Sequence, residues 1–230
     1  MQGWLRRLFG GETAPRKPTP PQTRPPVQES PAAQARGYLA RVQGKINKLA
    51  EEFAAGAINR VQFNELFEHY QNEKRTIEAW IETAPCSEDW KAASTEGKSV
   101  IIRRKHLAAV LGYAVYENDS GMPLDTIGNF EIDAALAVPM LSAYRSATQE
   151  IFGAGIQSTQ IEGGRWLCFI QGEFTTLMAL YSTEPAAQLL KSLEELHRLF
   201  ELANRPTLQS PPINPESLLF PHAHFVDRQG

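Results

Sequence analysis

"WLCFIQGEFTTLMALY", residues 166–181, is the most apolar stretch of this length in the chain, and its reading decides the fold. A membrane-spanning helix needs about 20 consecutive apolar residues, whereas Gln171, Gly172 and Glu173 interrupt this stretch at its middle. Two readings remain: a site built around Cys168, or two strands back to back. The runs 166–170 and 174–181 are short and rich in aromatic side chains, and the interruption has turn composition, which predicts a β-hairpin. A weaker strand at 156–161 and the turn Glu162–Gly163–Gly164 precede it, completing a three-strand meander.

Downstream, Thr183 is placed to cap a final helix with Pro185 in its first turn. Leu189, Leu190, Leu193, Leu196, Leu199, Phe200 and Ala203 form its expected buried face. Lys191, Glu194, Glu195 and Arg198 take the wet side, with Glu194 paired to Arg198 at i, i+4, and Pro206 ends the helix. Residues 209–230 read as a flexible tail. Upstream, Leu136, Met140, Tyr144, Ala147 and Ile151 recur at helical spacing over 132–152; Pro139 must lie in an early turn or kink that helix, and Gly153 and Gly155 end it. Before it, Tyr113 to Tyr116 and Leu124 to Ile127 flank the turn residues Asn118, Asp119 and Gly121, a second hairpin. The β-branched run Val100, Ile101 and Ile102 within "SVIIRRKH", residues 99–106, also reads as strand.

Residues 36–83 have a different period. Leu39, Val42, Ile46, Leu49 and Phe53 are spaced 3, 4, 3 and 4, one stripe of a helix. Gly56 breaks it, and Asn59 with Gln62 matches a capping box. A second helix carries Phe63, Leu66, Phe67, Tyr70, Ile77 and Ile81, so the pair is expected to close as an antiparallel hairpin. Its aromatic load calls for a third covering surface. Residues 11–35 hold Pro15, Pro18, Pro20, Pro21, Pro25, Pro26 and Pro31 and almost no large apolar side chain, the composition of a disordered linker. At the front, Trp4, Leu5, Leu8 and Phe9 surround Arg6 and Arg7, which reads either as an exposed, frayed terminus or as a short amphipathic peptide able to bind a protein groove or an anionic membrane surface.

With 23 basic against 26 acidic residues and a net charge of −3, the chain lacks the positive excess that phosphate backbones attract, and nucleic acid is not an expected partner. Only Cys86 and Cys168 occur, no early run has the form of a secretory signal, and Gln2 removes the myristoylation pattern. The expected place is the cytoplasm, or the cytoplasmic face of a membrane contacted peripherally.

The order over residues 97–208, carried by "GYAVYENDSGMPLDTIG", "TQIEGGRWLCFIQGEFTTLMALYS" and "AAQLLKSLEELHRLFELANR", resembles the Roadblock/LC7 family, whose layout is close to longin and profilin-like domains. The resemblance implies an α+β fold with a central antiparallel sheet covered by helices, here preceded by the α-helical hairpin and the Pro-rich segment. It also implies homo- or hetero-dimers and a non-catalytic platform for Ras-like GTPases or for motor and polarity assemblies. The family's opening amphipathic helix is replaced here by the strand-like "SVIIRRKH".

Signals for catalysis are weak. "AASTEGKS", residues 92–99, approaches a phosphate loop, but Ala92 stands where the first glycine belongs and a strand-like run follows. Cys168, between Leu167 and Phe169, lacks the neighbours that would lower its pKa and reads as a packed thiol; His222 and His224 have no close-spaced cysteine pair to complete a zinc site. His69 and His106 read as lone polar or half-buried residues. No cofactor, metal or catalytic residue is expected. The expected function is an interaction scaffold; the alternatives are a membrane-tethered adaptor working through residues 4–9 and, less favoured, a thiol enzyme.

Overall fold

The computed structural model describes residues 30–84, 91, 96–150 and 157–222. Its first helix, α1 (Pro31–Ala54), begins inside the segment assigned to the linker: Ser30 Oγ accepts from the Ala33 amide at 3.2 Å and Pro31 occupies the first helical position, which needs no N–H. Ala35, Tyr38, Val42, Ile46 and Leu49 are its buried residues, while Phe53 stands 41% exposed. The second helix, α2 (Arg60–Thr83), opens with the expected capping box, Asn59 Oδ1 accepting from the Gln62 amide at 2.8 Å and the Asn59 amide donating to Gln62 Oε1 at 3.0 Å. Leu66, Tyr70 and Ile77 meet the α1 stripe. Tyr38 Oη donates to the buried Glu73 carboxylate at 2.6 Å, which pairs one polar contact between the helices.

The β-branched run is not a strand. Residues 96–105 form helix α3 (Glu96–Lys105), which lies against α2. Val100 and Ile101 are 52% and 66% exposed, and only Ile102 packs into the hairpin core. Tertiary bonds override β propensity here: Gln62 Nε2 donates to the Arg103 carbonyl at 2.8 Å, Arg103 Nη2 pairs with Glu52 at 2.7 Å, and Lys105 Nζ with Glu65 at 3.1 Å. Three cations in the last turn also suit the negative end of the helix. A helix therefore does precede the first β-hairpin, and its Ile102 packs against the helical pair, while Phe53 and Phe67 stay 41% and 37% exposed.

The α+β expectation is met by one antiparallel sheet of five strands: β1 (Val110–Glu117), β2 (Pro123–Gly128), β3 (Gln157–Gln160), β4 (Trp166–Gln171) and β5 (Thr175–Tyr181), in the order β2-β1-β5-β4-β3. The opening stretch is β4 and β5, with Cys168 opposite Ala179 and Ile170 opposite Leu177. Every residue of β5 is buried, which explains why it shows no alternation: it is the middle strand and both of its faces are covered. Helix α4 (Ala134–Glu150) sets Ala137, Leu141 and Tyr144 on one face, against Ala114, Tyr116, Leu167, Phe169 and Met178. Pro139 lies within it. Helix α5 (Ala187–Leu208) sets Leu193, Phe200 and Leu208 on the other face, against Tyr113, Val115, Cys168, Ile170, Leu177, Ala179 and Tyr181.

Four details of this last region depart from the sequence reading. Thr183 does not cap α5; Ala186 holds the cap position, and the carbonyl of Gly56, in the turn of the helical hairpin, accepts from the Gln188 amide at 3.0 Å. Gly56 is required there, with φ at 73° and a Cβ that would come within 2.7 Å of Ala187 Cβ. Pro206 does not stop the helix, which continues to Leu208. The ion pair on its wet face is Arg198 with Glu195, through Nε at 2.8 Å and Nη2 at 2.7 Å, one residue away from the expected Glu194. Residues 209–222, expected to be loose, form a strap: Asn204 Nδ2 donates to the Leu219 carbonyl and Asn204 Oδ1 accepts from the Leu219 amide, at 2.9 and 2.8 Å, while Leu218 and His222 are buried.

Candidate functional site

The sheet-facing side of α5 repeats at Leu193, His197, Phe200, Asn204 and Leu208. His197 is 1% exposed and Asn204 3% exposed, whereas Leu199, expected inside, is 44% exposed and Ala203 also faces out. A tally of apolar residues alone misses this face, because two of its five positions are polar. The signal was present in the steps of four, three, four and four from Leu193 to Leu208.

A line of polar groups runs inward from this helix. At its outer end, the Glu201 carboxylate accepts from the amides of Glu173, Phe174 and Thr175 at 2.7, 2.9 and 2.8 Å and from Thr175 Oγ1 at 2.8 Å. Gly172 permits that approach, since a Cβ there would collide with the carboxylate. The polar break in the opening stretch is thus a turn clasped by a side chain of α5. From the other side Asn118 accepts from Thr176 Oγ1 at 2.7 Å and donates to the Gly172 carbonyl at 3.2 Å. Thr175 Oγ1 also lies 3.2 Å from His197 Nε2. Deeper still, the His222 ring sits 5.9 Å from the ring of His197 and 5.8 Å from that of Tyr113.

Burial sets the electrostatics of this line. It lowers the His197 pKa, with Glu201 and the Thr175 carbonyl opposing, and lowers that of His222 to about 3, with His197 adding to the effect. It raises the phenols of Tyr113 and Tyr181 and pushes the Cys168 thiol up to about 12. At neutral pH the thiol is protonated and both imidazoles are neutral. Nδ1 of His197, both ring nitrogens of His222 and the hydroxyls of Tyr113 and Tyr181 have no hydrogen-bond partner among the described residues. None of these groups reaches solvent, and no group of three or more His, Cys, Asp or Glu among the described residues is placed to hold a metal ion. Strap and α5 meet at this cluster, where the Phe200 and His222 rings lie 5.3 Å apart.

Trp4, Leu5, Arg6, Arg7, Leu8 and Phe9 lie outside the described residues, as do Cys86, His224 and residues 92–95 of the phosphate-loop-like segment. Gly97, Lys98 and Ser99 open α3, so a helix follows that segment, yet Ala92 still stands in place of its first glycine. Contact between the helical hairpin and the sheet domain converges on Asn59. Its Nδ2 donates to the carbonyls of His106 and Glu184 at 2.8 and 2.7 Å, beside a cleft lined by Gln62, Leu107, Gln188 and Leu189. Large apolar side chains stand in solvent on several elements: Leu107 at 68%, Leu136 at 62%, Leu202 at 57% and Leu219 at 67% exposed. Leu199, Leu202 and Ala203 of α5, with Leu219, Phe220 and Pro221 of the strap, line a groove of about 570 Å³. No family model matches the chain, and no curated protein sequence does. No described helix is long and apolar enough to cross a membrane.

Proposed function

We propose that this chain is a non-catalytic interaction scaffold of the cytoplasm, a Roadblock-like platform that pairs with its own kind or a related chain and receives a small Ras-like GTPase. The observation that carries the reading is an inversion of what an enzyme displays. Cys168, His197 and His222 are sealed at 0–1% exposure, while leucines of α4, α5 and the strap stand in water. Contiguous exposed apolar surface marks interaction sites, and Leu199, Leu202, Leu219 and Phe220 line one groove. The element order supports the same reading, since α3 supplies a helix ahead of the first β-hairpin and the sheet order is β2-β1-β5-β4-β3.

Light scattering on the full chain, 25.6 kDa as a monomer, should return twice that mass. Purified Ras-like GTPases in the GDP-bound and GTP-analogue-bound states should be retained on the immobilised protein. A strict monomer that retains none of them overturns the proposal.

A further inference from the structure

We infer that the C-terminal strap, residues 209–222, is an acid-released latch: uptake of a proton by His222 frees it from α5 while the sheet stays folded. The strap joins no strand of the sheet. Residues 209–217 are exposed apart from the half-buried Ile213, so what holds the strap lies mainly in its last five residues. There Asn204 exchanges two hydrogen bonds with the Leu219 main chain, at 2.8 and 2.9 Å, the Phe220 ring stacks on Phe200 at 5.2 Å, and Leu218 and His222 are buried.

His222 is the vulnerable member of this set. Its ring lies 5.3 Å from Phe200, 5.8 Å from Tyr113 and 5.9 Å from His197, and neither of its nitrogens has a hydrogen-bond partner among the described residues. A protonated ring there would hold a charge and two N–H donors with nothing to receive them, and moving into water removes that penalty. The groups that face it give a cation no relief. His197 of α5 disfavours a second positive charge beside it. Glu201 of the same helix acts on His197 and is engaged by the 173–175 turn, while Arg205 pairs with the exposed Glu173. From the sheet come the phenols of Tyr113 and Tyr181 and the Cys168 thiol, which burial keeps protonated. Glu216, the strap's own carboxylate, is exposed in the turn before Leu218.

The direction of the response follows. In the docked strap burial holds the His222 pKa at about 3, and in a released strap the ring titrates near 6.5, so release takes up a proton between those values. Docking is therefore strongest above about pH 6.5 and weakens as the pH falls toward 3. Each pH unit in that window multiplies the released population about tenfold, which amounts to roughly a hundredfold between pH 7.5 and 4.5. Release uncovers Phe200 and Leu208, otherwise 0% and 4% exposed, and dismantles the groove that Leu219, Phe220 and Pro221 form with α5. The protein thus shows one face at neutral pH and another in acid, whether or not the GTPase reading holds.

Hydrogen exchange of the full chain, resolved amide by amide by NMR, tests the latch, because the Leu219 amide donates to Asn204 Oδ1 and exchanges when the strap lets go. Dividing each rate by the intrinsic rate at the same pH gives an opening constant. For Leu219 this constant should rise roughly a hundredfold between pH 7.5 and 4.5 and stay at least about tenfold above that of the β5 amides throughout. His222→Phe, and His222→Gln as a second variant without the larger ring, should each hold the rise below about fivefold. A Leu219 constant that does not change with pH overturns the inference. So does one equal to that of β5 at every pH, since the strap would then leave only with the whole domain. A rise as steep in both variants as in the parent protein also overturns it, placing the sensor elsewhere.

Discussion

Replacing Asn59 separates two jobs done by one side chain. Its Oδ1 caps α2 through the Gln62 amide at 2.8 Å, and its Nδ2 ties the helical hairpin to the carbonyls of His106 and Glu184 at 2.8 and 2.7 Å. Asn59 is 4% exposed, so water does not readily replace either bond. Loss of a cap costs about 1 kcal/mol, and each partly buried carbonyl left without its donor about 1 kcal/mol more, giving about 3 kcal/mol for Asn59→Ala. Asn59→Ser keeps a capping oxygen and loses both junction bonds, and should cost about 2 kcal/mol. Asn59→Asp keeps the cap but points a carboxylate at two carbonyl oxygens, and should cost at least as much as alanine. Urea unfolding followed by circular dichroism gives all three values at a common slope. If Asn59→Ser is as stable as the parent protein, the two junction bonds contribute nothing and the hairpin is not fastened as described.

Burial of His222 makes stability depend on pH. Its folded pKa, about 3, lies below the unfolded value near 6.5, so the unfolded chain binds the extra proton between them. Stability is therefore present above about pH 6.5 and is lost as the pH falls toward 3, by up to about 1.4 kcal/mol per pH unit; His222→Phe should flatten that slope. Cys168, with its thiol pushed up to about 12, should resist a thiol reagent at pH 7 in a Cys86→Ser background and react fully once denaturant is added. Glu201→Ala removes the acceptor of three backbone amides, so the amides of residues 173–175 should exchange hydrogen at least tenfold faster while those of β1 stay protected.

The elements were legible wherever a single pattern governed them. The capping box at Asn59 and Gln62, the stripe from Val42 to Leu49 and the two runs flanking Gln171 to Glu173 all formed as the sequence indicates. Misreadings occurred where distant groups decide. Val100, Ile101 and Ile102 look like strand until Glu52, Gln62 and Glu65 are known to meet α3. Thr183 looks like a cap until the Gly56 carbonyl is seen to do that work from 132 residues away, counting from Gly56 to Gln188. Of the interior behind α5, Cys168 was legible from its apolar neighbours. His197, Asn204 and His222 were not, because polar residues enter a core only when particular partners or tight enclosure hold them.

The central place of β5 also fixes the order in which a newly made chain can become whole. The two long helices at the front meet residues close to them in sequence and can pair as soon as both have left the ribosome. The sheet has no such freedom. Its β1–β2 and β3–β4 halves are joined only through β5, whose partner Tyr113 sits opposite Ala179. Until residue 181 is available, β1 and β4 each present an unsatisfied edge, and that interval is when the nascent chain is most open to pairing with the wrong strand.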